Sequence, residues 1–172
     1  MKILKYIMLI GLFFASSILG KMLSKKYIKR EEELEDMKNQ LELFKNKIKF
    51  TYSPIDEIFD EISKSCSQKN ISQIFKKSKN KMKSKSASTS WNDAIEEEKE
   101  KLNITNEDII KIKELGKMLG ISDIEGQVSQ IELTKELIDI QIKKAQKERE
   151  KNETMYKKLG TTLGLILVIL LI

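Results

Sequence analysis

The sequence predicts an all-α protein, and three observations lead there. The 172 residues contain a single proline, whereas a chain of many short strands needs frequent turn residues. Apolar residues recur at spacings of three and four along most of the chain, the period of one helix face. Both ends contain uncharged apolar stretches that run without a breaker into charged helical pattern. The expected architecture is a six-helix bundle whose first and last helices continue into N- and C-terminal membrane helices.

The N-terminal segment, residues 1–23, reads as an anchor. Tyr6 to Gly20 carries no charge, and Ile3 to Leu23 is long enough to span if Lys5 and Lys21 reach back to the interface. A signal peptide is the competing reading, with Lys2 and Lys5 as its basic start and Ala15-Ser16-Ser17 as a poor cleavage site. Lys21, Lys25, Lys26, Lys29 and Arg30 follow directly and resist translocation, which favours an uncleaved anchor.

Residues 24–158 read as the bundle. No breaker interrupts Lys21 to Phe50, and Leu34, Met37, Leu41, Phe44 and Ile48 form a heptad-like stripe. Only about two heptads are present, so the stripe fits a coiled coil or a bundle core. Thr51-Tyr-Ser-Pro54 ends this helix. Ser53 is the expected cap of a second one, with Pro54 in its first position and Asp56 and Glu57 at the positive end of its dipole. Its buried stripe is Ile55, Ile58, Phe59 and Ile62. Asn70 with Gln73 is the expected cap of a third helix, with Ile71, Ile74, Phe75 and Met82 inward. Lys83 to Thr89 reads as a loop, after which Ser90 caps a fourth helix with Trp91, Ala94, Ile95 and Leu102 on one face. Thr105 with Asp108 is a capping pair for a fifth, whose stripe Ile109, Ile112, Leu115, Met118 and Leu119 runs toward Gly120.

Three of the seven glycines, Gly116, Gly120 and Gly126, fall in Leu115-Gly-Lys-Met-Leu119-Gly-Ile-Ser-Asp-Ile-Glu-Gly-Gln127. Gly120 suits the left-handed position past a helix end. Ser122 and Glu125 have capping-box spacing and would start the sixth helix at Asp123. Its inward residues are Ile124, Val128, Ile131, Leu137, Ile138, Ile142 and Ala145.

The last 14 residues, 159–172, are uncharged and span about 21 Å of a roughly 30 Å hydrocarbon core, which fits a short or thinning span or an insertion that stops within the far leaflet. Basic residues lie before this segment and none after it. The positive-inside rule therefore places the body in the cytoplasm, with both ends directed outward. Ser16-x-x-x-Gly20 and Gly160-x-x-x-Gly164 are small-xxx-small pairs that would let the two membrane helices pack closely.

Chemistry is scarce. The chain has no histidine and one cysteine, Cys66, so the commonest general base, an internal disulfide and a cysteine metal cluster are all missing. The net charge of +6 comes from interspersed charges and reads as solvated helix faces rather than a nucleic-acid surface. The glycines near Gly116 form no phosphate loop, because no Gly-Lys-Ser/Thr follows them. Asp93, Glu96, Glu97, Glu98 and Asp108 read as a solvated face without a proton-transfer partner. No catalytic residue, cofactor or metal is expected. Trp91 is either a core keystone or an exposed partner anchor. Asp123 and Gln127, one turn apart, either contact a partner or serve the helix start. Leu119, Gly120 and Ser122 belong to the same candidate motif.

The ordered set Ser16-Ser17-Ile-Leu-Gly20, Arg30-Glu-Glu-Glu-Leu34, Pro54, Ile74-Phe75, Trp91-x-x-Ala94-Ile95, Leu102-x-Ile104-Thr105-x-x-Asp108, L-G-x-x-L-G-x-S-D-x-x-x-Q and Leu159-Gly-x-x-x-Gly164 resembles the stage III sporulation protein AB family. That resemblance implies a bundle similar to type II secretion and type IV pilus platform protein F domains. It implies a place in the mother-cell membrane around the forespore, within the channel complex joining the two compartments. The implied partners are a SpoIIIAA-like ATPase and other sporulation channel membrane proteins, and a homo-oligomer is compatible with it. A membrane-tethered helical scaffold with no motor partner is the alternative.

Overall fold

A computed structural model of the chain describes residues 2–171, with side chains from Leu4 onward. Met1 and Ile172, the outermost positions of the two expected membrane segments, lie outside the described residues, as do the side chains of Lys2 and Ile3. The described residues form α1 (Lys2–Thr51), α2 (Ile55–Ser65), α3 (Lys69–Lys81), α4 (Ala87–Glu98), α5 (Asn106–Lys113) and α6 (Ile124–Leu171), with short 3-10 segments at Lys99–Lys101 and Glu114–Lys117 and no strand. The chain is all-α as expected, and each of its two long helices is uninterrupted. Two compact units result: one from residues 1–29 with 145–172, the other from residues 30–144.

In the unit of residues 30–144, the anticipated stripe of α1 is the core wall: Leu34, Met37, Leu41, Phe44 and Ile48 are all buried. Phe44, Phe59, Phe75 and Trp91, contributed by α1, α2, α3 and α4, form a chain of ring contacts with centroids 5.1 to 5.6 Å apart. The Phe44–Phe59 and Phe59–Phe75 pairs are edge-to-face, a geometry that adds to the area they bury, and both rings packed on Trp91 are tilted. Antiparallel ion pairs tie α1 to α6: Lys38 to Asp139 at 2.5 Å, Lys45 to Glu132 at 2.6 Å, and Lys135 to Glu42. Inward on α6 lie Ile131, Ile138 and Ile142, joined by the buried polar Thr134 and Gln141, whereas Ile124 is exposed.

A second buried stripe on α1 is polar. Arg30, Glu33, Asp36 and Gln40 recur every three or four residues, each at most 6% exposed. Each ties down a chain end elsewhere. Asp36 accepts the backbone N–H groups of Ser67 and Gln68 at 3.2 and 2.9 Å, so α3 is capped from α1 rather than by Asn70 and Gln73. Asn70 instead donates to Glu33 and to the Lys101 carbonyl, and Glu33 also accepts from the Asn103 backbone. Ser65 donates to Gln40 at 3.0 Å.

Other helix starts also differ from expectation. α2 begins at Ile55 with Pro54 as its cap residue and no side-chain cap, while the Ser53 hydroxyl pairs with Thr51. Tyr52 turns the chain there with φ of 52°, a left-handed conformation uncommon for a residue with a β-carbon. α4 begins four residues early: Ser86 accepts from the Thr89 N–H, and Ser90 lies buried inside the helix. Thr105 and Asp108 do form the anticipated capping box.

In the unit of residues 1–29 and 145–172, α1 and α6 run antiparallel. Leu4, Ile7, Met8, Ile10, Phe14, Ile18, Leu163, Leu165, Ile169 and Leu170 are exposed. Both helices are long and apolar enough to cross a membrane. An exposed apolar surface of this extent is abnormal for a helix pair in water and normal for one in lipid.

Candidate functional site

Trp91 is fully buried and its indole Nε1 donates to the Ile112 carbonyl at 3.1 Å. That bond satisfies a carbonyl freed where α5 ends, so Trp91 holds two helices together as well as filling the core. The glycine motif packs against it. A β-carbon at Gly116 would lie 3.1 Å from the Asn92 side chain and 3.2 Å from Trp91 Cδ1. The helix anticipated through Leu119 is α-helical only to Lys113, then tightens into the 3-10 segment Glu114–Lys117. Leu115 and Leu119 remain buried. Gly120 has φ of +72°, the left-handed stop expected of it, beside Ala87 and Ile55.

The start of α6 is shifted by one residue from the Ser122–Glu125 box. Asp123 is the cap, its carboxylate accepting the Gly126 N–H at 2.8 Å, while the Ser122 hydroxyl donates to the Met118 carbonyl. Gln127 Nε2 donates to the Ser122 carbonyl at 3.1 Å, and Gln130 donates to the Glu114 carbonyl at 2.8 Å. These side chains tie off the turn between α5 and α6.

Asp108 is not on a solvated face. It is fully buried and takes Arg30 Nε at 2.8 Å, Arg30 Nη2 at 3.0 Å and the Thr105 N–H at 2.7 Å. Arg30 is accordingly a core residue and not a membrane flank. Glu98 is buried too, bonded to Lys77 at 2.6 Å and Lys101 at 2.9 Å. Burial pushes its carboxyl up and the two ammonium groups more than offset this, so it lies below the ordinary carboxylate value. Glu96 pairs with Lys113 and Lys99, Glu97 with Lys77 and Lys81, and Asp93 with Lys85. Cys66 is a free, half-buried thiol, pushed up to about 12 by burial. A thiol so protonated is a poor nucleophile at neutral pH. Among the described residues no group of acidic, cysteine or histidine side chains is arranged to hold a metal.

Several exposed apolar side chains lie near one end of this unit, while Ile110, Leu133 and Ile140 are exposed elsewhere on it. The α1–α6 ion-pair register, continued, brings the end of α1 level with the start of α6. Phe50 and Tyr52 are about 70% exposed there, as is Ile121, with Ile124 and Met118 partly so. Asp56, Glu57, Asp123 and Glu125, near them in sequence, are exposed as well. Sequence reading placed Ile124 and Met118 inside and gave no role to Phe50, Tyr52 or Ile121. The missed signal was three large apolar residues next to turn residues and off the buried stripes.

Ser16, Gly20, Gly160 and Gly164 meet in the other unit. Ser16 Oγ donates to the Gly160 carbonyl at 2.7 Å. A β-carbon at Gly20 would fall 2.5 Å from the Tyr156 carbonyl oxygen, and one at Gly160 would fall 2.9 Å from that of Ser16. A β-carbon at Gly164 would lie 3.0 Å from Phe13 Cδ2. The backbones approach as closely as they do because no side chain separates them.

The family model for stage III sporulation protein AB matches residues 5–172. Stage III sporulation protein AB of Bacillus subtilis (strain 168) is 25% identical over 170 residues, covering 98% of this chain and 99% of that protein. A solved structure of stage III sporulation protein AB superposes with a TM-score of 0.66 at 20% identity, covering 70% of this chain and 96% of that one, a likeness of fold. With the match running through the buried Arg30–Asp108 pair, the Trp91 core and the glycine seam alike, the chain belongs to the stage III sporulation protein AB family.

Proposed function

We propose that this chain is a membrane platform of the sporulation channel complex between mother cell and forespore, and that it docks a SpoIIIAA-like ATPase. In this reading α1 and α6 cross the mother-cell membrane, the unit of residues 30–144 lies in the cytoplasm, and the protein works by contact rather than chemistry. The observation that carries it is the apolar end formed by Phe50, Tyr52, Ile121 and Ile124, with exposed Asp56, Glu57, Asp123 and Glu125 near them in sequence and Lys49 Nζ 5.4 Å from the Phe50 ring centre. Large apolar side chains exposed beside charged ones have the composition of an interface core with a polar rim. The uninterrupted α1 and α6 would convey the position of a docked motor toward the membrane.

The test is co-purification of the full-length protein with the ATPase in mild detergent. Tyr52→Glu and Ile121→Glu are expected to abolish it, and Ile140→Glu, exposed elsewhere on α6, to leave it intact. Charge reversal at Asp108 is uninformative here, because it would break a buried ion pair. No co-purification by the unaltered protein would select the scaffold without a motor partner.

A further inference from the structure

Charge is segregated between the two units. Residues 1–29 and 145–172 hold 11 of the 32 basic residues but three of the 26 acidic ones, a net charge of +8, which leaves −2 for residues 30–144. Lysines in the second unit are largely ion-paired; Lys38, Lys45, Lys47, Lys77, Lys79 and Lys135 all reach carboxylates. Lys21, Lys25, Lys26 and Lys158 differ. They are exposed and have no carboxylate partner among the described residues.

Their placement is specific. Lys21 follows Gly20 and Lys158 precedes Leu159, and Gly20 and Gly160 are in backbone contact, with a β-carbon on Gly20 falling 3.1 Å from Gly160 Cα. The switch from apolar to basic therefore occurs at one level on both helices. Tyr27 and Tyr156 stack across the pair at 6.0 Å on the basic side of that level, and Lys26 Nζ sits 5.0 Å from the Tyr27 ring centre. Tyrosine at such a boundary, apolar on its body and polar at its tip, suits a lipid headgroup layer. Lys21 and Lys25, one helical turn apart on α1, carry like charges that repel within the screening length of about 8 Å at physiological salt. A layer of anions at the same height would relieve that repulsion.

We propose that Lys21, Lys25, Lys26 and Lys158 form a collar that selects anionic phospholipids, holding their headgroup phosphates around the helix pair. This rests on α1 and α6 inserting into a bilayer, and adds which lipid class surrounds them. The lysine ammonium groups act as point charges on flexible stems, so the collar recognises phosphate charge rather than headgroup shape.

The test reconstitutes the full chain into vesicles of equal parts phosphatidylcholine and phosphatidylglycerol, extracts it in mild detergent, and quantifies the lipids that co-purify. Phosphatidylglycerol is expected to be enriched roughly threefold over the bulk mixture. A variant with Lys21, Lys25, Lys26 and Lys158 all changed to Gln is expected to lose that enrichment. A matched variant with Lys49, Lys69, Lys76 and Lys83 changed to Gln is expected to keep it. Equal lipid ratios for the unaltered protein, retention of enrichment in the collar variant, or its loss in the matched variant would each overturn the collar. Resistance of the vesicle-bound protein to alkaline extraction is measured alongside. Its absence in the unaltered protein would mark failure of the membrane reading itself, separately from failure of the lipid preference.

Discussion

Arg30 and Asp108 stand 78 positions apart in sequence and meet in a two-pronged ion pair at 2.8 and 3.0 Å, with side chains 6% and 0% exposed. The same carboxylate closes the capping box of α5. One residue thus fixes the start of α5 and its attachment to α1. Removing one partner of a buried pair strands the other charge in a medium that cannot solvate it. Asp108→Ala and Arg30→Ala are each expected to cost about 3–5 kcal/mol, while Arg30→Met with Asp108→Leu costs clearly less than either single change. Urea unfolding of the full-length protein in neutral detergent reads the difference. Equal loss in the double variant would mean the pair is not the source.

The cap of α4 separates two serines. Ser86→Ala removes the acceptor of the Thr89 N–H and is expected to cost about 1 kcal/mol. Ser90 is buried with no hydrogen-bond partner for its hydroxyl among the described residues, so Ser90→Ala relieves a desolvated polar group and leaves stability unchanged or slightly raised. Thermal unfolding of the two variants side by side decides which residue starts the helix.

The glycine seam predicts a separation of insertion from pairing. Leucine at Gly160 or Gly164 must displace backbone and the Phe13 ring, so the α1–α6 contact weakens while each helix keeps its apolar length. Gly160→Leu and Gly164→Leu are expected to remain resistant to alkaline extraction yet lose thermal stability in detergent. Unchanged stability would remove the seam from the account.

Acid should loosen the α1–α6 attachment. Lys135 and then Lys45 hold the Glu42 carboxyl down to about 2 from 4.5, and Lys38 and then Lys143 hold Asp139 down to about 2 from 3.8. Groups depressed on folding stabilise fully above their unfolded values and lose that contribution as pH falls through the folded ones. Urea midpoints are expected to drop between about pH 4.5 and 2, by less in Lys38→Gln with Lys135→Gln, and by less in high salt because these side chains are partly exposed. A pH-independent midpoint over that window would contradict the assignment.

What the sequence made readable was whatever is decided locally. The stripe from Leu34 to Ile48 repeats often enough to mark a buried face, Gly120 marks a backbone turn only glycine takes easily, and Thr105 with Asp108 is a cap made within four residues. The four small residues Ser16, Gly20, Gly160 and Gly164 were legible by spacing alone. Distant partners were not. Nothing near Asn70 signals that Asp36 caps α3 from another helix, and nothing near Asp108 signals that Arg30 buries it. Where serines crowd together between Ser84 and Ser90, several caps are locally equivalent, and the burial of Trp91 and Ser90 inside α4 settles the choice. The exposed end was invisible for the opposite reason: Ile121 and Tyr52 look like core residues until the stripes are assigned.

The polar stripe of α1 also sets a timetable. Arg30 leaves the ribosome 78 residues before Asp108, and Glu42 precedes Lys135 by 93. At about 5–20 residues per second, those groups wait several seconds for their partners. Over that interval those charged groups of α1 stay in water, while Asp36 and Phe44 already have their partners from Ser67, Gln68 and Phe59. Synthesis must pass Asp108 before the polar stripe has all its partners, and Lys135 before Glu42 has its own, so a chain cut short of α5 leaves Arg30 without the Asp108 carboxylate rather than giving a smaller working domain.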